Sequence, residues 1–388
     1  MMFWRKGTLA AVWLSLAGPA SAGPDHILIG LDNTITFGAS GKAYRAPGHD
    51  QVIVLDASNP AKPKLAGSLN LSNSIQGPPV NLEITPDGGL GLVASSIKVT
   101  QKDGKNGPWQ PVPDDRVHVI DLSGAAPRFI GDVETGKQPS GLAISRDGTL
   151  ALVANAESKS VTVLRILGRA VRPVAEVPLG DSVLAVAIAP DGSRAFVVKP
   201  LAAKVGVLNI GGDRVRYDPD DDIPAGFNPY NLAITPDGKF CIVVNNTAHG
   251  NSGNLTVIDA VGPHPHAIDT VSVGDGPEGF AIAPDGKSAA VLLLHGGTSP
   301  HDHWSYHRNG GVIGLKIEGR KVSLRPGEIA MGSVPEAIAY TRDGRYLYAA
   351  DFNDRLLHVI AVRDGRLHDT GTRLNLPGPP ASMRGPAF

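Results

Sequence analysis

The chain has 388 residues, 36 basic and 37 acidic side chains, a single cysteine, and 47 glycines with 32 prolines. The near-neutral balance excludes the broad basic field that nucleic acid or anionic lipid would need. One cysteine excludes an internal disulfide framework, and the glycine and proline content implies many turns between short elements.

The first residues predict an export signal. Arg5 and Lys6 precede an apolar stretch from Leu9 to Ala17, and Ala20-Ser21-Ala22 forms the small-x-small pattern cut by signal peptidase. Cleavage after Ala22 leaves residues 23–388 as one domain, with 34 basic against 37 acidic groups. The apolar stretch is too short to span a bilayer. The expected location is therefore the periplasm, with no membrane span and no nucleic-acid partner.

Six turns then recur along the chain: Thr85-Pro86-Asp87-Gly88, Ser145-Arg146-Asp147-Gly148, Ala189-Pro190-Asp191-Gly192, Thr235-Pro236-Asp237-Gly238, Ala283-Pro284-Asp285-Gly286 and Thr341-Arg342-Asp343-Gly344. Read Asp to Asp, they stand 60, 44, 46, 48 and 58 residues apart. Proline presets the first corner, Asp bonds back to the backbone, and Gly takes the left-handed position. Repeats of this length made of strand and turn predict an all-β propeller with four antiparallel strands, a to d, in each blade.

The third strand recurs seven times, from Gln51-Val52-Ile53-Val54-Leu55 to Leu356-Leu357-His358-Val359-Ile360. The missing first strand is found at the other end. Gly378-Pro379-Pro380-Ala381 resembles Gly77-Pro78-Pro79-Val80, the entry to a strand a. The C-terminal segment is thus expected to complete the first blade and close a seven-bladed ring, which removes the exposed sheet edges.

Strand b with its exit, as in Leu152-Val153-Ala154-Asn155-Ala156 and Ile242-Val243-Val244-Asn245-Asn246, together with Thr256-Val257-Ile258-Asp259, resembles the YVTN-type propeller repeat. That resemblance implies a scaffold used by binding modules, surface-layer proteins, lactonase relatives and amine dehydrogenase subunits. The His-rich strand entry of lactonases similar to 6-phosphogluconolactonase is missing. No Cys-x-x-Cys-His, Gly-x-Ser-x-Gly or His-Glu-x-x-His occurs.

Function is expected where the repeats differ. The b–c loops of blades one (32–50), two (96–115) and six (296–310) are long and contain Lys42, Lys98, Lys102, Lys105, Trp109 and other polar groups. They predict a loop-rich face that takes a small-molecule or protein ligand. In the blade-six loop, His301 and His303 have i, i+2 spacing with His307 nearby, which would suit Zn or Cu if the loop were extended. The other reading of these histidines is a polar surface loop in which Trp304 contacts the ligand. Repeat alignment places Lys199, Asn245 and Asp351 at the ends of strands b, and Tyr230, Glu278 and Glu336 after the strand-a prolines. With Arg384, these form a candidate set at the channel mouth. Glu278 and Glu336 would serve as an acid–base pair in a lactonase-like hydrolase or isomerase, and the others as ligand contacts or strand caps. Three functions remain open: a binding module, a lactonase-like enzyme, and a metal-binding or redox-partner propeller.

Overall fold

A computed structural model describes residues 25–74, 76–104, 107–247 and 250–386. The expected export signal and Lys105 lie outside these residues.

Seven sheets of antiparallel strands form the blades of the ring. The first combines both ends of the chain. Pro380–Arg384 pairs with His26–Leu31, which pairs in turn with Gln51–Asp56 and Lys64–Leu69. Ile29 faces Met383 and Leu28 faces Arg384 across the closing seam. The helical content among the described residues is a single 3-10 turn, Pro219–Asp221.

Strands a to c carry apolar side chains on both faces because each blade is stacked between two others. In Phe240–Asn245, Ile242 and Val244 pack toward blade six, while Cys241 and Val243 pack toward blade four. Alternation of side chains along a strand divides them between two interfaces. Seven apolar clusters result, each joining two neighbouring blades. Strand d lies at the rim, and in Ala170–Pro178 most side chains are exposed. Cys241 is buried in one of these clusters, and burial pushes its thiol far above the ordinary value.

The Asp-Gly turns cap one face of the ring. Their glycines take φ of 76°, 71°, 70°, 73°, 67° and 68° in chain order, the conformation glycine adopts without strain. Asp87 accepts from the Gly89 N–H at 2.9 Å and from the Thr85 hydroxyl at 2.5 Å. The opposite face carries the long b–c segments, two of which have regular structure. Ile35–Gly38 and Gly41–Tyr44 form a separate hairpin in blade one. In blade two, strands b and c run on as Leu90–Gln101 and Trp109–Asp121, so most of the segment expected as loop is paired. Alternating residues such as Ile97 and Val99, both buried, give the extension an apolar side.

Candidate functional site

Strand a is the innermost strand of each blade, and it starts at the loop-rich face. The residue after its entry proline therefore stands beside the axis. Tyr230 follows Pro229, Glu278 follows Pro277 and Glu336 follows Pro335, and all three line one cavity of about 300 Å³. Ala381 occupies the same position in blade one and leaves room there.

The cavity is polar on one side and apolar on the other. Asp32, Lys42, Asn228 and Asn246 join the two glutamates and Tyr230; Ile35, Phe37, Leu294 and Phe352 supply the apolar wall. Val334 closes the apolar cluster underneath with φ of 58°, a strained conformation for a β-branched residue.

Burial dominates the electrostatics. Glu278 is 8% exposed and Glu336 7%. Burial pushes Glu278 up to about 7, against opposing pulls from the Tyr230 hydroxyl, Lys42 and Asn246. The Asn246 Nδ2 lies 3.5 Å from the Glu278 Oε2. Glu336 is raised further, first by burial and then by repulsion from Glu278, with Lys42 drawing it back. Burial, together with both carboxylates, also lifts the Tyr230 hydroxyl well above its ordinary value. Two buried carboxyls of raised proton affinity thus stand in one cavity, a pair suited to give and take a proton.

A third carboxyl lies at the base of the blade-one hairpin. The Asp32 Oδ1 accepts from the backbone N–H groups of Thr34 and Ile35, each at 2.9 Å, and from the Ser74 hydroxyl at 3.0 Å. Burial, and then the nearby Asp50, raise Asp32 to about 7. Asp50 in turn accepts from the Asn33 N–H at 2.8 Å. The hairpin carries Lys42, whose Nζ stands 5.7 Å from the Tyr44 ring centroid and 6.0 Å from that of Phe37.

The other expected residues go elsewhere. The Lys199 Nζ is 2.8 Å from both the Asp222 Oδ2 and the Tyr217 hydroxyl, buried within blade four. The Asn245 Nδ2 donates to the Asn254 Oδ1 at 2.7 Å and the Thr256 hydroxyl at 2.9 Å. The Asp351 Oδ2 meets the His358 Nε2 at 2.6 Å. These strand-b residues face into the blade because strand a stands between them and the axis. Arg384 lies at the far end of its strand a, 3.3 Å from the Glu83 Oε1, and lines the turn-face mouth of the channel instead.

The blade-six histidines are also separated in use. The His301 ring stacks on Tyr306 with centroids 4.2 Å apart, and the His303 Nδ1 is 2.8 Å from the Ser305 hydroxyl. The His307 N–H donates to the His295 carbonyl at 3.2 Å. The loop is a series of turns, with the His303 N–H bonded to the Pro300 carbonyl, so the alternation of an extended chain does not apply. Among the described residues no three His, Cys, Asp or Glu side chains come together to hold a metal ion. Trp304 is 79% exposed, outside the cavity wall.

Asp32 and Asn246 were not singled out in the sequence. A signal existed for Asn246, which follows the strand-b exit in a blade adjacent to Glu278.

The fold is similar to several solved propellers. A putative 6-phosphogluconolactonase from Bacteroides fragilis shares 16% identity over 95% of this chain and 99% of that one, with a TM-score of 0.69. The periplasmic gluconolactonase of Pseudomonas aeruginosa shares 18% identity over 94% and 99%, with a TM-score of 0.66. Hydrazine synthase from Kuenenia stuttgartiensis shares 19% identity over 81% and 91%, with a TM-score of 0.60. At these identities the likeness is one of fold. No family model and no curated protein matches the sequence.

Proposed function

We propose that this chain is an exported propeller of the YVTN type that binds a small polyhydroxylated lactone at its loop-rich face and hydrolyses it. The observation that carries the reading is the placement of Glu278 and Glu336, both raised in proton affinity, in one cavity beside Tyr230. The gluconolactonase names of two fold relatives support the same substrate class.

In this reading Glu278, the more acidic of the pair, takes a proton from water as the water oxygen attacks the lactone carbonyl carbon. Lys42 faces the negative charge that develops on the carbonyl oxygen. The ring C–O bond then breaks, and Glu336 gives its proton to the departing ring oxygen. The product is the open hydroxy acid, and the proton left on Glu278 resets the pair. Asn228, Asn246 and Tyr230 offer hydrogen bonds to the substrate hydroxyls.

Acid release from glucono-1,5-lactone, followed in a pH-stat, tests the reading. Glu278→Gln should lower kcat by about 100-fold or more, as expected for loss of a general base. Wild-type protein that never exceeds the spontaneous rate would sink the hydrolase reading. The exposure of Phe227 (75%) and Trp304 (79%) favours a second reading. In it the same face holds a carbohydrate by ring stacking without turning it over. Calorimetric binding of the sugar with no acid release would select it.

A further inference from the structure

We propose a second ligand site at the turn-face mouth of the channel, which takes a small monocarboxylate with an apolar body. It does not depend on the hydrolase reading. A cavity of about 160 Å³ opens there. Four strand-a isoleucines, Ile144, Ile188, Ile234 and Ile282, contributed by blades three to six, form its apolar wall. The charged groups on the wall are Glu83, Arg146 and Arg384.

Glu83 is already committed. It accepts from the Ile144 N–H at 2.7 Å through Oε2 and from the Arg384 Nη1 at 3.3 Å through Oε1. Arg146 makes no hydrogen bond or ion pair among the described residues. The cavity therefore presents two guanidinium groups against one carboxylate, an excess of one positive charge.

The repeat itself marks Arg146 as unusual. Four of the six turns have proline at this position: Pro86, Pro190, Pro236 and Pro284. Pro190, Pro236 and Pro284 each seat against the turn glycine of the next blade, 3.2 to 3.4 Å from where its Cβ would stand. Arg342 also breaks the pattern, but its Nη2 donates to the Pro86 carbonyl at 3.1 Å and its Nη1 lies 3.8 Å from Asp25, where the ring closes. Arg146 has no such duty. The glycine it would abut, Gly192, has nothing within 4 Å of its Cβ position. An inter-blade contact is missing there, and the guanidinium that replaces it lines a cavity.

The chemistry follows from the lining. A guanidinium binds a carboxylate through two parallel N–H donors, and the isoleucine ring desolvates a hydrocarbon or aromatic body. Benzoate and hexanoate have this form. A bare anion such as phosphate would leave the apolar ring uncovered.

Calorimetric titration of the whole protein with benzoate, benzyl alcohol and inorganic phosphate tests the proposal. Benzoate should bind, while the alcohol and phosphate should bind about tenfold more weakly or not at all. Arg146→Gln should weaken benzoate by about tenfold or more. Arg146→Pro restores the repeat, should melt no lower than wild type, and should lose benzoate equally. Absence of benzoate binding, equal binding to either arginine variant, or phosphate binding as tight as benzoate would each overturn the proposal.

Discussion

The His301 N–H donates to the carbonyl of Ala39 at 2.9 Å, so the blade-six loop touches the tip of the blade-one hairpin across the channel mouth. On the hairpin's first strand, Phe37 meets Phe352 of blade seven edge-on, with ring centroids 5.3 Å apart. Three blades thus hold one short hairpin over the cavity, and that hairpin carries Lys42 toward Glu278 and Glu336. A two-stranded hairpin is marginal by itself, so these contacts decide whether the cavity stays covered.

Phe37→Ala should loosen this cover. An edge-to-face aromatic pair is worth about 0.5–1.5 kcal/mol beyond its buried area. Amide exchange across residues 35–44 should therefore quicken by roughly two- to tenfold, with the blade cores unchanged. Unchanged exchange in the hairpin would show that Phe37 does not hold it.

The buried carboxyls should make stability fall as pH rises. Glu278 binds its proton up to about pH 7 in the folded protein, against 4.5 as its ordinary value. Between those limits the native state holds a proton that the unfolded chain has released, so stability is lost as pH climbs through the window. Glu336 and Asp32 act with the same sign. Urea midpoints measured from pH 4.5 to 8 should decline, and Glu278→Gln should flatten the decline. The rate of lactone opening should rise across the same range as Glu278 ionises; a rate constant with pH would contradict its role as base.

Lys199 should prove to be a stability residue. Its side chain and that of Asp222 are 7% and 3% exposed. Removing one partner from a buried pair costs about 3–5 kcal/mol when the other charge is stranded. Here the Lys204 Nζ, 3.8 Å from the Asp222 Oδ2, and the Tyr217 hydroxyl soften the loss. Lys199→Met should lower the melting temperature by several degrees, and Lys199→Met with Asp222→Leu should recover much of it. Ligand affinity at the mouth should not change in the double variant.

Asp32 separates hydrogen bonding from charge. Asp32→Ala strands the backbone donors of Thr34 and Ile35, each costing about 1–3 kcal/mol if left buried and unmet, while the Ser74 hydroxyl keeps the Asp50 Oδ2 at 2.7 Å. Asp32→Asn keeps an acceptor oxygen and should lose much less. Denaturation of the two variants side by side checks the difference. Asp32→Asn should also lower the proton affinity of Glu336, because the Asp32 charge helps to raise it.

The ring is legible in the sequence because a propeller repeats one local rule. Thr-Pro-Asp-Gly dictates its own turn chemistry, and Gly378-Pro379-Pro380 copies Gly77-Pro78-Pro79, so the closing strand was visible as a sequence match. The same register placed Tyr230, Glu278 and Glu336 on one ring at the mouth, since each follows a proline that starts an innermost strand. It did not carry Arg384 there. Four residues beyond Pro380, at about 3.3 Å per residue, the chain has crossed to the other mouth.

What the sequence alone determined is the part set by local chemistry: turns, alternation, blade count, and the height of each residue along its strand. The tertiary structure decided which charges meet. Asp222 neutralises Lys199 and Glu83 engages Arg384, whereas Lys42 reaches the cavity on a hairpin whose path depends on contacts with Phe352 and His301. The six Asp-Gly turns cap the face opposite the long b–c segments. Arg146, standing where four of them have proline, gives that face a charged cavity of its own. Such pairings join segments tens to hundreds of residues apart, and no periodicity in the chain encodes them.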